Sequence, residues 1–148
     1  MTTNRQIFVN ETGPDPHIEE WNTRIEAIGR SWLSICRSID PPIHHSLIAR
    51  WRSGETRPTF RTAERFVAAL VYAERQHMAT LEAHIEEIGQ TWRKICKLLK
   101  QPVDYSVIER WRNGEHSEEV MREVRRFYVA LRHAERRHAK KEEARAAA

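Results

Sequence analysis

Glycine and proline are scarce in this 148-residue chain, five and six residues respectively. No stretch alternates apolar and polar residues as a half-buried strand would. Long segments are instead rich in Ala, Glu, Arg, Leu and Ile, the better helix formers. The fold class expected is therefore all-α. No apolar run approaches the roughly 18 to 20 residues that span a bilayer, so no membrane partner is expected. Met1 to Pro16 is polar and lacks the apolar core of a signal peptide; it is read as a flexible N-terminal arm of a cytoplasmic protein.

Cysteine is rarer still. Cys36 and Cys96 lie sixty residues apart, each after an isoleucine, which matches neither a zinc-ligand spacing nor a disulfide framework and predicts buried free thiols. Eight histidines are present, but His77 and His84 lie seven apart and His133 and His138 five apart. No Cys or carboxylate completes a metal-ligand set around them. A phosphate-cradling glycine loop, a nucleophile–histidine–acid arrangement and a carboxylate pair in an apolar setting are likewise missing. The sequence predicts no catalytic residues, no metal and no cofactor: a protein that is not an enzyme.

The chain does have a modest positive charge and an internal repeat. Formal net charge is +4 and the sequence pI about 9.4, which permits a polyanionic partner without requiring one. Many basic residues have Glu neighbours, and the densest acid-free stretch read from the sequence is Arg93, Lys94, Lys97 and Lys100. A shift of sixty places aligns residues 25–55 with 85–115 and gives fifteen identities in thirty-one positions, among them Ile25, Gly29, Trp32, Cys36, Ile48, Arg50, Trp51 and Gly54. After one inserted residue the match resumes: Arg65, Phe66, Ala69, Leu70 and Ala73 correspond to Arg126, Phe127, Ala130, Leu131 and Ala134. The domains expected are an arm over 1–16, repeat one over 17–78, repeat two over 79–138 and a charged, fraying tail over 139–148, with flexible joining at Ala79-Thr80.

Punctuation divides each repeat into four helices. His17 to Ile28 carries Ile18, Trp21, Ile25 and Ile28 at helical spacing and stops at Gly29. Ser31 caps a second, short helix with Trp32, Ile35, Cys36 and Ile39 as its apolar stripe, ended by Asp40-Pro41-Pro42. His44 to Ser53 is the third, closed by Gly54, and Pro58-Thr59 opens a longer fourth running toward Met78. In the second repeat Thr91 caps, Trp92, Ile95, Cys96 and Leu99 form the stripe, and Val103 to Asn113 is the third helix.

The run from Ile43 through Ser46, Ile48, Arg50-Trp51-Arg52 and Gly54-Glu55 to Pro58-Thr59, with its second copy from Val103 to Glu115, resembles the third helix of lambda-repressor-like, Cro-type (XRE-like) helix-turn-helix domains. Ser31 to Cys36 and Thr91 to Cys96 are similar to that family's second helix. Two features depart from the pattern: the turn is longer, with Pro41-Pro42 or Gln101-Pro102, and Trp32 and Trp92 stand where the family has a phosphate-holding Gln.

The resemblance implies a tandem pair of small four-helix helix-turn-helix domains and a sequence-specific transcriptional regulator of bacterial or phage type, nucleoid-associated, that binds double-stranded DNA. It places Ile43, Ile48 and Trp51 inward and His45, Ser46, Ala49 and Arg50 toward the major groove, with His44 beside them. The matching groove set in the second copy is Tyr105, Ser106, Glu109 and Arg110. Arg52, Arg57 and Arg112 are assigned to phosphates, with Ser31, Thr91, Arg93 and Lys94 assisting from the second helices. Repeat one is expected to be the main reader, because Asp104 and Glu109 repel phosphate. RNA polymerase or another regulator and a homodimer are further partners this reading admits. The alternative class is a protein-interaction or assembly adaptor, for example in phage DNA packaging, built on the same units.

Overall fold

The computed structural model describes residues 15–148, and among them every regular element is a helix. In chain order these are α1 (Pro16–Ala27), α2 (Trp32–Arg37), α3 (His45–Ser53), α4 (Phe60–Glu87), α5 (Trp92–Cys96), α6 (Tyr105–Arg112) and α7 (Glu118–Ala147). None is long and apolar enough to cross a membrane. The arm expected over 1–16 lies outside the described residues except for its last two. Asp15 caps α1 by accepting the His17 N–H at 3.0 Å, and Pro16 opens the helix where a missing N–H costs nothing.

The chain divides into two compact units, Met1–Glu74 and Arg75–Ala148. The division falls inside α4. Ala79 and Thr80, read from the sequence as a joint, are helical residues of that element. The tail expected to fray from Ala139 is likewise helical, and α7 continues to Ala147.

In the first unit the core gathers around Phe66 of α4, which is fully buried. Three tryptophan rings surround it: Trp21 of α1 at 5.0 Å between centroids, Trp32 of α2 stacked at 5.3 Å, and Trp51 of α3 edge-on at 6.2 Å. Offset and edge-to-face geometries let the ring quadrupoles attract while large apolar areas leave water. Ile25, Ile35, Ile48 and Leu70 close the remaining space. One ion pair is drawn into this core: Arg24 donates to both carboxylate oxygens of Glu74, Nε at 3.1 Å and Nη2 at 2.5 Å, and ties α1 to α4.

The second unit repeats the plan with changes. Phe127 of α7 takes the place of Phe66 and stacks on Trp92 at 5.2 Å, and Leu81 stands where the first unit has Trp21. The position of the Arg24–Glu74 pair is held by His84 and Glu135, 3.1 Å apart. His77 meets the Tyr128 hydroxyl at 2.7 Å seven residues earlier along each helix.

The second helices are shorter than their apolar stripes predict. α2 ends at Arg37 and α5 at Cys96, so Ile39 is buried from a bend and Leu99 is only half-buried. In α2 proline explains the stop. Beyond Cys36 the Arg37 carbonyl would look to Pro41, which has no N–H, and the chain instead turns so that the Ile43 N–H reaches the Cys36 carbonyl. Val103 reaches Cys96 in the same way at 2.8 Å. Both cysteines are free and buried, and burial pushes each thiol up to about 11. They therefore stay protonated and unreactive near neutral pH.

Candidate nucleic-acid interface

α3 begins at an unusual cap. His44 stands at its N-cap, and Nδ1 accepts the Ser46 N–H at 3.2 Å while lying 2.6 Å from the Ser46 hydroxyl. A ring nitrogen that accepts a backbone N–H carries no proton, so a neutral His44 ring holds its proton on Nε2. The His45 ring stacks on it at 4.3 Å. Gly54, at φ 82°, ends the helix in the left-handed region that a side chain would strain.

The periodicity of α3 sorts its residues into two faces. Ile48 and Trp51 are buried, as is Ile43 just ahead of the helix; His45, Ser46, Ala49 and Arg50 are exposed together with His44. The three buried residues are those the resemblance places inward. Among the described residues nothing is hydrogen-bonded or ion-paired to the Arg50 guanidinium. Arg52 is exposed and lies over the Trp32 ring, 5.5 Å from its centroid, while the indole N–H donates to Asn22 at 2.8 Å. Arg57 is half-buried. The Ser31 hydroxyl caps α2 by accepting the Ser34 N–H at 3.1 Å, so its first role is structural. Between α2 and α3 runs an open, mainly apolar cleft of about 420 Å³ that Leu33, His45, Ala49 and Arg52 help to line.

The second unit presents the matching helix, α6, with its arginines engaged internally. Asp104 caps α6, accepting the Ser106 N–H at 3.0 Å and its hydroxyl at 2.6 Å. The Ser106 hydroxyl and amide hold that carboxyl below the usual carboxylate range. A fixed negative charge thus occupies the N-terminus of α6, where a phosphate would otherwise be favoured. Arg110 is half-buried and engaged: it bonds Glu115 closely and approaches Glu119 at 3.5 Å. Arg112 lies over Trp92 at 4.3 Å and reaches Glu82 at 3.4 Å. Arg93 covers the half-buried Tyr105 ring at 4.6 Å. Thr91 caps α5 by accepting the Lys94 N–H at 3.2 Å. Lys94, Ser106 and Glu109 remain exposed.

The candidate residues therefore come together as two separate faces of unlike chemistry. Sequence reasoning missed why Arg110 differs from Arg50. Glu55 has the same spacing from Arg50 that Glu115 has from Arg110, so spacing alone gives no signal. The turn decides. After α6, Glu115 N–H itself closes back on the Arg110 carbonyl at 2.9 Å, whereas after α3 the closing donor is Thr56, one residue later. The residue inserted in the second repeat lets α7 begin early at Ser117, whose hydroxyl also holds Glu115 at 3.2 Å, and brings Glu119 into reach. The matching position in the first unit is Pro58. Trp92 Nε1 is buried without a hydrogen-bond partner among the described residues, because the place of Asn22 is taken by Glu82, which turns to Arg112.

No protein-family model matches the chain, and no curated protein or solved structure matches it either.

Proposed function

We propose that this chain is a sequence-specific, double-stranded-DNA-binding transcriptional regulator of bacterial or phage type. In this reading its two units are tandem helix-turn-helix domains, and α3 of the first enters the major groove. The observation that carries it is the exposed Arg50, unpaired among the described residues, on a face of α3 that also presents His45, Ser46 and Ala49. Nine residues of helix measure about 14 Å, and such a segment on a packed support fits a groove about 12 Å wide. An unpaired guanidinium there donates two hydrogen bonds to guanine O6 and N7 without first giving up an internal partner, a contact worth roughly 1 to 3 kcal/mol of discrimination. Arg52 stands beside it for a phosphate.

The second unit fits a supporting part: its α6 carries Asp104 and Glu109 at the face and a neutralised Arg110. Lys94 and Arg93 then contribute contacts to the backbone rather than to bases.

The test is selection from a random duplex pool at two salt concentrations, followed by sequencing of the bound fraction. Wild type enriches a motif; Arg50→Ala loses the enrichment and about 10- to 100-fold in affinity, and Arg110→Ala retains both. Loss of the motif through Arg110 alone would reverse the assignment of the two units. A protein-interaction adaptor is favoured by two large exposed apolar side chains, Phe60 at 84% and Tyr72 at 64% exposure. Duplex binding that is absent at both salt concentrations would turn the reading to that class.

A further inference from the structure

The outward face of α7 carries a row of charge that the groove-reading helix does not explain. Arg122, Arg125, Arg132, Arg136 and Lys140 recur at intervals of three, seven, four and four residues, and all five are exposed. At 100° per residue they fall within one arc of the helix, opposite the buried Val124, Phe127, Leu131 and Ala134. Arg137 and Lys141 flank the row. From Val120 to Lys141 no exposed residue is acidic. The two carboxylates in that span are engaged elsewhere: Glu123 takes Arg126 at 2.9 Å and the Asp104 N–H, and Glu135 takes His84. Among the described residues none of the cations in the row has an ion-pair partner.

Like charges three and four apart weaken a helix, so a row of this kind without a single carboxylate between its members is a cost to the fold that a polyanion offsets. The helix α4 supplies the contrast. At the matching positions it has Arg61, Glu64, Val71, Arg75 and Ala79, a mixed set with no such row. The row is therefore peculiar to α7 and not a consequence of the helix's place in the repeat.

We infer that this face of α7 is a second nucleic-acid contact, one that follows the phosphates of duplex DNA without reading bases. From Arg122 to Lys140 the row spans about 27 Å, and duplex DNA presents a charge about every 1.7 Å along its axis, so several phosphates lie within reach of one helix side. The chemistry does not suit a second copy of the same face, which would repel. Nor does it suit a bilayer surface, because the apolar face of α7 is buried in the unit's own core as far as Ala134 and is not free to enter lipid. The inference stands on α7 alone and survives or fails apart from the role of α3.

The experiment uses the full chain and its triple variant Arg132→Gln, Arg136→Gln, Lys140→Gln, whose positions are exposed on the face away from the core. Binding to a random-sequence duplex is followed across a salt series, with polyglutamate of similar charge titrated separately as an acidic-polypeptide probe. The expected result is a log-affinity against log-salt slope shallower by about 2.7, at 0.9 for each phosphate no longer neutralised. The far-ultraviolet circular dichroism melt holds or rises slightly, because the variant relieves repulsion along the row, and the motif enriched through Arg50 stays the same. A slope that stays the same overturns the inference, whether or not Arg50 proves to read bases. So does a variant that loses affinity for polyglutamate but not for the duplex, which would assign the row to an acidic protein. A shallower slope in a protein that enriches no motif leaves the row a phosphate contact and removes the regulator reading instead.

Discussion

His44 and Asp104 hold equivalent positions and make the same pair of contacts, one with a ring nitrogen and one with a carboxylate. The cap and the charge can therefore be separated by substitution. His44→Ala removes the acceptor and is expected to cost about 1 kcal/mol of stability, measured by urea unfolding. His44→Asp keeps the cap, and the melt should hold or rise slightly, while duplex affinity falls because an anion now sits at the N-terminus of α3. If affinity survives in His44→Asp, α3 does not approach phosphates at that end. The three-residue spacing of Ile48 and Trp51 made their shared face legible, since a helix sorts residues by angle; the inward place of Ile43 and the outward place of Arg50 came from the family resemblance. The pairing of Arg110 was not legible, because it depends on how one turn closes.

Among the elements, α4 and α7 differ most from their reading as sequence. Their apolar periodicity was plain, yet the ends were hidden: α4 passes through Ala79 and Thr80, and α7 persists beyond its last buried residue, Ala134. Caps and prolines mark where helices stop, and neither occurs in those places. In the second unit α4 and α7 are joined by His77 with Tyr128 and by His84 with Glu135. Burial pushes His77 below its ordinary 6.5 and Tyr128 up to about 12. The folded state thus favours neutral His77 and the unfolded state binds its proton more readily. Stability from this site is complete above pH 6.5 and is lost as pH falls through the lower folded value. Unfolding midpoints compared at pH 7.5 and 5.5 are expected to drop less in His77→Gln than in the wild type; an equal drop would place the acid sensitivity elsewhere.

Across the whole molecule, the repeat was the feature most legible in sequence; every regular element among the described residues is a helix, and the chain divides into two compact units. What the repeat concealed is that equal residues occupy unequal surroundings. Arg50 and Arg110 are identical in type and place, but one faces outward with no ion-pair partner among the described residues and the other is held by Glu115 and Glu119. The difference should be reversible. Asp104→Asn with Glu115→Gln keeps an oxygen acceptor at the cap and removes the charge of the nearer of the two carboxylates that hold the guanidinium. The double variant is expected to gain several-fold in affinity for a random duplex at low salt, with its urea unfolding midpoint little changed. Unchanged affinity would mean that α6 is turned away from the nucleic acid for reasons other than its charge.

The early start of α7 at Ser117 bears on how such a chain diversifies. In genetic terms the two segments differ there by the insertion of a single codon, and the twin arginines need not mutate at all. That small change in length moves one acid into position and sets another where the first copy has a proline. Two copies of one sequence can in this way be assigned different tasks while the arginine at the centre of each task stays the same.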